Sequence, residues 1–112
     1  MSLTVETYDQ GEITIVTVTG ELDLAAVPAF EAQIHTLVSA HRIRLALDLH
    51  KLIFCDSTGL NAIARSNQVC EEQGGWLRLT GARGSVLRVL EVTGLLADLG
   101  LRPGTVEDQA QD

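Results

Sequence analysis

The sequence predicts an α/β fold: a mixed, mostly parallel sheet of four or five strands, opened by an N-terminal hairpin and covered by helices. Three observations carry that prediction. A run rich in β-branched residues, up to Thr19, follows a weakly alternating stretch across an Asp9-Gln10-Gly11 turn. From Val27 onward, apolar residues recur at helical spacing. Beyond Ile43, short apolar runs of strand length alternate with helical stripes, the pattern of parallel strands joined by crossover helices.

Leu3 to Tyr8 is the first predicted strand and Glu12 to Thr19 the second, with Ile13, Ile15 or Val16, and Val18 available to the core. Gly20 is expected to end that strand. Pro28 opens the first helix, where its missing N–H costs nothing, and Val27, Phe30, Ile34, Leu37, Val38 and His41 lie along one face. Ile43 to Leu49 reads as a buried strand, and Leu52 to Cys55 continues its apolar character up to Asp56. Leu60 to Cys70 is the second helix, striped by Leu60, Ile63, Asn67 and Cys70 and stopped by Gly74-Gly75. Trp76 to Thr80 is a strand. A third helix follows, with Ser85 as its cap, Val86, Val89 and Leu90 inside, and Gly94 as its stop. Leu95 to Leu101 suits an edge strand or a helical turn. The order is ββαβαβα, in one domain over 1–103 with a disordered acidic tail at 104–112.

Composition narrows the function. The chain has 112 residues and a net charge of −7, and its eight basic residues are scattered singly. A nucleic-acid binder needs a clustered cationic face, so direct contact with nucleic acid is not expected; an acidic balance suits a basic protein partner. Cys55 and Cys70 match neither a CxxC pair nor a metal pattern, and their apolar settings read as buried free thiols. The first residues lack the basic and apolar regions of a signal peptide, and no apolar stretch approaches the ~20 residues that span a bilayer. A cytoplasmic protein without membrane insertion is expected.

The informative stretch is Leu45 to Ile63, where a buried strand runs out and delivers Asp56-Ser57-Thr58-Gly59 to the start of a helix. In open α/β sheets, sites form outside the carboxyl ends of the strands. A helix N-terminus there presents free N–H groups and about half a positive elementary charge. A phosphate on Ser57 would be tolerated by those donors, yet it adds roughly −1.5 to −2 charges at the surface and can repel a partner. The bland reading is a cap, since Asp56, Ser57 and Thr58 are all good N-cap residues. Capping needs only one of them, and the excess leaves a hydroxyl free. Physics alone does not choose between the two.

The chain resembles the STAS family, and within it most closely the anti-sigma factor antagonists of bacterial partner-switching systems. The resemblance covers about residues 3 to 101 and rests on a specific series: Gly20-Glu21-Leu22-Asp23, Leu47-Asp48-Leu49 with Leu52 and Phe54, Asp56-Ser57-Thr58-Gly59-Leu60, Gly74-Gly75, and Thr93-Gly94-Leu95. It implies that Ser57 is phosphorylated by a cognate anti-sigma factor, a serine kinase with the histidine-kinase-like ATPase fold. The unphosphorylated form would bind that kinase and free the sigma factor. Phosphorylation would end the complex, and a PP2C-type phosphatase would restore it. Glu21, Asp23, Asp56, Ser57, Thr58, Gly59, Asn61 and Arg65 are the expected partner-facing residues. The segment after Leu95 is shorter than the long final helix common in the family. The Thr or Ser often found near Ala26 is missing, which predicts a weakly capped first helix.

Other readings fit less well. Asp48 at a strand end suggests a phospho-aspartate receiver, but Thr19-Gly20 stands where the acidic pair belongs and Lys51 is the only lysine; Asp48 is expected to support its loop or end its strand. An aspartic protease needs Gly directly after Asp-Thr or Asp-Ser, and Thr58 intervenes. His35, His41 and His50 form no triad or metal set. No catalytic residue, metal or cofactor is expected. A stress-sensing scaffold or a lipid-transport component would keep the same resemblance; Ser57 with Thr58 favours the antagonist.

Overall fold

A computed structural model describes residues 2–94. The elements are β1 (Leu3–Gln10), β2 (Ile13–Leu22), α1 (Val27–Ser39), β3 (Arg44–Asp48), β4 (Leu52–Cys55), α2 (Ser57–Glu72), β5 (Trp76–Thr80) and α3 (Gly84–Thr93). β1 and β2 form the antiparallel hairpin, Leu3 opposite Gly20 and Gln10 opposite Ile13. The opposite edge of β2 is shared: β3 pairs in parallel with Thr14–Thr17, and β4 with Gly20–Leu22. β5 pairs in parallel with β3. The mixed, mostly parallel sheet with a leading hairpin is the one the sequence predicts.

Val16 and Val18 of β2, Leu45 and Leu47 of β3, and Leu77 and Leu79 of β5 alternate onto one face of the sheet. There they meet Phe30, Ile34 and Leu37 of α1, Leu60, Ile63 and Cys70 of α2, and Val86 and Leu90 of α3 in one buried cluster. Right-handed crossovers put α1 and α2 on the same side, because both connections step across the sheet in the same direction. Ile15 is as fully buried as Val16, so the two face opposite sides of a strand that is covered on both. Asn67 of the predicted α2 stripe is half-buried and uses its Oδ1 to accept from the Leu77 N–H at 3.1 Å, tying the helix to β5.

Several boundaries differ from expectation. Gly20 does not end β2: the strand shifts register between Gly20 and Glu21 and continues to Leu22. Gly20 has φ of +105° and its Cα lies against the Ser2 carbonyl, so the strand can bulge there only without a side chain. Leu52–Cys55 is a strand of its own and not the tail of β3, which makes the order ββαββαβα. His41 leaves the α1 stripe, because the helix stops at Ser39 and His41 adopts φ of 63° on the surface. Ser85 does not cap α3; Arg83 occupies that position with extended backbone and no side-chain bond. α2 starts earlier than its apolar stripe, at Ser57, and Gly94 closes α3 as expected, in the left-handed region. The predicted segment from Leu95 to Leu101 and the acidic tail lie outside the described residues.

Candidate phospho-switch site

At the head of α2 the three candidate caps divide their work. Asp56 takes the N-cap position with extended backbone (φ −96°, ψ −175°). Its Oδ1 accepts the Gly59 N–H at 3.0 Å and the Thr58 hydroxyl at 2.5 Å. Thr58 is therefore spent on Asp56. Ser57, the first helical residue, is exposed, and its hydroxyl has no bond to any described residue. Capping and a free hydroxyl are thus both true, on different residues. The Thr58 hydroxyl, and after it the Gly59 N–H, hold the Asp56 carboxyl below the usual carboxylate range; partial burial opposes them, and the Leu24 and Thr58 N–H groups add to the lowering. No acidic residue occupies the first turn of α2, so the helix end keeps its positive character beyond the cap.

The second wall of the site is the loop between β2 and α1. The Asp23 carbonyl accepts from Ala26 N–H at 3.0 Å and from Val27 N–H at 3.1 Å. Its carboxylate Oδ1 also accepts from Ala26 N–H, at 3.0 Å. Ala26 has no cap to offer, as expected, and Asp23 makes up the loss from three residues upstream. The two motif segments then meet through Leu22. Asp56 N–H approaches the Leu22 carbonyl at 3.4 Å, and the Gly59 Cα packs so closely that any side chain there would strike that carbonyl oxygen. Gly59 is required because helix α2 leaves from directly under the end of β2.

The other predicted residues are placed less uniformly. Glu21 turns to the hairpin, accepting the Ser2 N–H on Oε1 at 3.1 Å. Asn61 is exposed one turn beyond Ser57 and makes no side-chain bond among the described residues. Arg65 lies eight residues down the helix, ~12 Å along its axis, and binds Glu31 of α1 through Nε at 2.9 Å and Nη2 at 2.8 Å. The structure thus gathers Asp23, Asp56, Ser57, Thr58 and Gly59 at one corner and leaves Arg65 to a bridge between helices. Sequence reasoning missed Leu24, which is 70% exposed on the Asp23 loop. The available signal was a leucine between a strand and a helix, in neither periodicity.

The remaining reactive groups are quiet. Cys55 and Cys70 are buried free thiols, as expected, and burial first, with a neighbouring carboxylate second, pushes them up to about 12 and about 11. Asp48 supports its loop: its Oδ1 accepts the His50 N–H at 3.1 Å and contacts His50 Nδ1 at 2.7 Å. No group of three or more His, Cys, Asp or Glu among the described residues could hold a metal ion. No helix among them is long and apolar enough to cross a membrane.

Known proteins resemble the chain over nearly its whole length. A family model described as "STAS domain" matches residues 4–109. An anti-sigma-B factor antagonist of Staphylococcus aureus is 28% identical over 105 residues, which span 94% of this chain and 97% of that protein. The crystal structure of an anti-sigma factor antagonist from Mycobacterium paratuberculosis superposes with a TM-score of 0.87 at 30% identity, covering 98% of this chain and 92% of that one. The Bacillus cell fate determinant SpoIIAA in its phosphorylated form shares the fold, with a TM-score of 0.74 at 22% identity over 98% of this chain and 97% of that one.

Proposed function

Since the chain belongs to the STAS domain family, we propose that it is an anti-sigma factor antagonist that binds its partner with Ser57 free and releases it when Ser57 carries phosphate. One observation carries this reading: Asp56 and Thr58 satisfy each other and the helix end, and of these three residues Ser57 is the one left with an exposed hydroxyl bonded to no described residue. The relatives named as antagonists give the role its class.

The partner is an anti-sigma factor that is also a serine kinase of the histidine-kinase-like ATPase type. In the transfer, Ser57 Oγ forms a bond to the γ-phosphorus of ATP as the bond to the β-phosphate oxygen breaks. ADP leaves with that electron pair, and the hydroxyl proton passes to a base on the kinase. The product carries roughly −1.5 to −2 charges next to Asp56 and Asp23. The positive end of the α2 dipole keeps that charge tolerable to the fold. A partner surface closed over Ser57 would have to make room for the phosphate and strip its water, a cost that exceeds any attraction to neighbouring charges. Binding therefore ends without unfolding. A PP2C-type phosphatase hydrolyses the ester and resets the chain. Glu21, Asp23, Asp56, Thr58, Gly59, Asn61 and Arg65 are the proposed contact set around Ser57. The protein is a substrate in this cycle and no catalyst, and a cytoplasmic setting suits it.

The test uses each purified ATPase-type anti-sigma factor kinase of the same cell, with ATP, and intact-mass measurement of the product. One added phosphate on the wild type, none on Ser57→Ala, and a complex that survives only without phosphate support the reading. A wild-type chain that accepts no phosphate and forms no complex sinks it, and co-purification with membrane-transport subunits would then favour the lipid-transport role.

A further inference from the structure

We infer that Leu24 is the apolar anchor of the partner interface, inserted into a non-polar socket that basic side chains of the anti-sigma factor surround. The inference deepens the antagonist reading and rests on it. Leu24 is 70% exposed in a chain whose β2 and α1 apolar residues are otherwise mostly buried. Single exposed leucines are ordinary on protein surfaces, so exposure is only the start of the case.

The second observation is rigidity. Leu24 sits on a loop closed from one side by the Asp23 carbonyl and carboxylate, which accept from Ala26 and Val27. From the other side, the head of α2 presses Gly59 and Asp56 N–H onto the Leu22 carbonyl. The side chain is displayed on a fixed backbone frame, so little loop entropy remains to be lost when a partner covers it. That frame is the one that holds Ser57, so an interface closing over Ser57 reaches the same loop.

The third observation is charge. Asp23 precedes Leu24, and the Asp56 carboxylate accepts the Leu24 N–H, in a chain of net charge −7. Nearby acidic residues repel acidic surfaces and favour a basic rim around the socket. An apolar centre within a polar rim is the usual anatomy of a specific interface. Leu24 would then help set which kinase is bound, whereas Ser57 sets when.

The experiment titrates Leu24→Ala, Leu24→Asp and a control, Val92→Ala, against each purified anti-sigma factor kinase, with melting curves and sedimentation of every variant. Val92 is 81% exposed on α3 and serves as an equally superficial truncation. The expected result is about tenfold weaker binding for Leu24→Ala, a larger loss for Leu24→Asp, less than twofold for Val92→Ala, and unchanged melting temperatures. Wild-type affinity for Leu24→Ala, alongside normal phosphorylation of Ser57, overturns the anchor and spares the switch. Loss of a homodimer with partner affinity intact also overturns it, by assigning the socket to a second copy. If the wild type neither binds nor accepts phosphate, both proposals fall together.

Discussion

Helices α2 and α3 both begin just beyond the carboxyl end of a strand, and both carry an exposed serine in their first turn, Ser57 and Ser85. Neither hydroxyl bonds to a described residue. The difference lies beneath them. Asp56 caps α2 with its carboxylate, Thr58 braces Asp56, and Gly59 seats the helix on Leu22. Arg83, at the same position of α3, caps nothing; its Nε reaches away to the His50 carbonyl at 2.8 Å. A Cβ added at Gly84 would meet open space. A free hydroxyl is therefore common to the two helix starts, and one carried on a braced helix mouth beside a second loop belongs to one. A phosphate switch needs the second property, because a charge whose position is undefined repels a partner from no particular direction.

Charge substitution should separate the two sites most sharply. Ser57→Asp is expected to weaken partner binding by a hundredfold or more, on the order of the ~3 kcal/mol lost when a charge is buried unpaired. Ser85→Asp should stay within about twofold, since it lies outside the proposed contact set. Isothermal titration of both variants decides the matter, and equal losses would break the comparison. Next in size is the packing contrast. Gly59→Ala forces a methyl group into the Leu22 carbonyl and should cost about 2–3 kcal/mol in urea unfolding. Gly84→Ala meets no atom but must hold φ of +60°, for about 1–2 kcal/mol. A Gly59→Ala variant as stable as wild type would mean that α2 is not seated on Leu22 as described.

A smaller effect comes from pH. The folded-state pKa of Asp56 lies below its unfolded value of 3.8, so its contribution is fully present above that value and is lost as pH falls through the folded pKa. Asp56→Asn removes that charge. The melting temperatures of wild type and Asp56→Asn should therefore differ by a constant few degrees from pH 7 to about pH 5, and converge in acid. A gap that widens in acid would contradict the assigned direction. Smallest of all, Arg65→Gln should cost ~0.5 kcal/mol or less, because its bridge to Glu31 is solvent-exposed on both sides.

Much of this was legible in the residues. β-branched runs and helical stripes placed the described strands and helices to within a few positions, apart from β4, which reads as the tail of the strand before it, since burial of one face imposes the period directly. The misses have a common cause. Gly20 reads as a stop, but β2 gains a further stretch of edge when β4 arrives from thirty residues away, and the chain bulges to meet it. Ser85 has the chemistry of a cap, yet backbone geometry set by the turn after β5 put Arg83 in that place. Leu24 belongs to no periodic pattern, and only the folded loop shows that it lies on the surface.

At the head of α2 the same division holds at the level of single atoms. The sequence by itself determined that a helix starts at Asp56-Ser57-Thr58-Gly59 and that it holds more capping groups than one helix end can use. It could not say which hydroxyl would be left over, because each of the three residues is locally competent to cap. Tertiary structure decided that, through the contact of Gly59 with Leu22 and the extended backbone of Asp56 that this contact permits. The choice is non-local: a strand end more than thirty residues upstream sets the angle at which the helix leaves, and that angle hands the cap to Asp56 and the surface to Ser57.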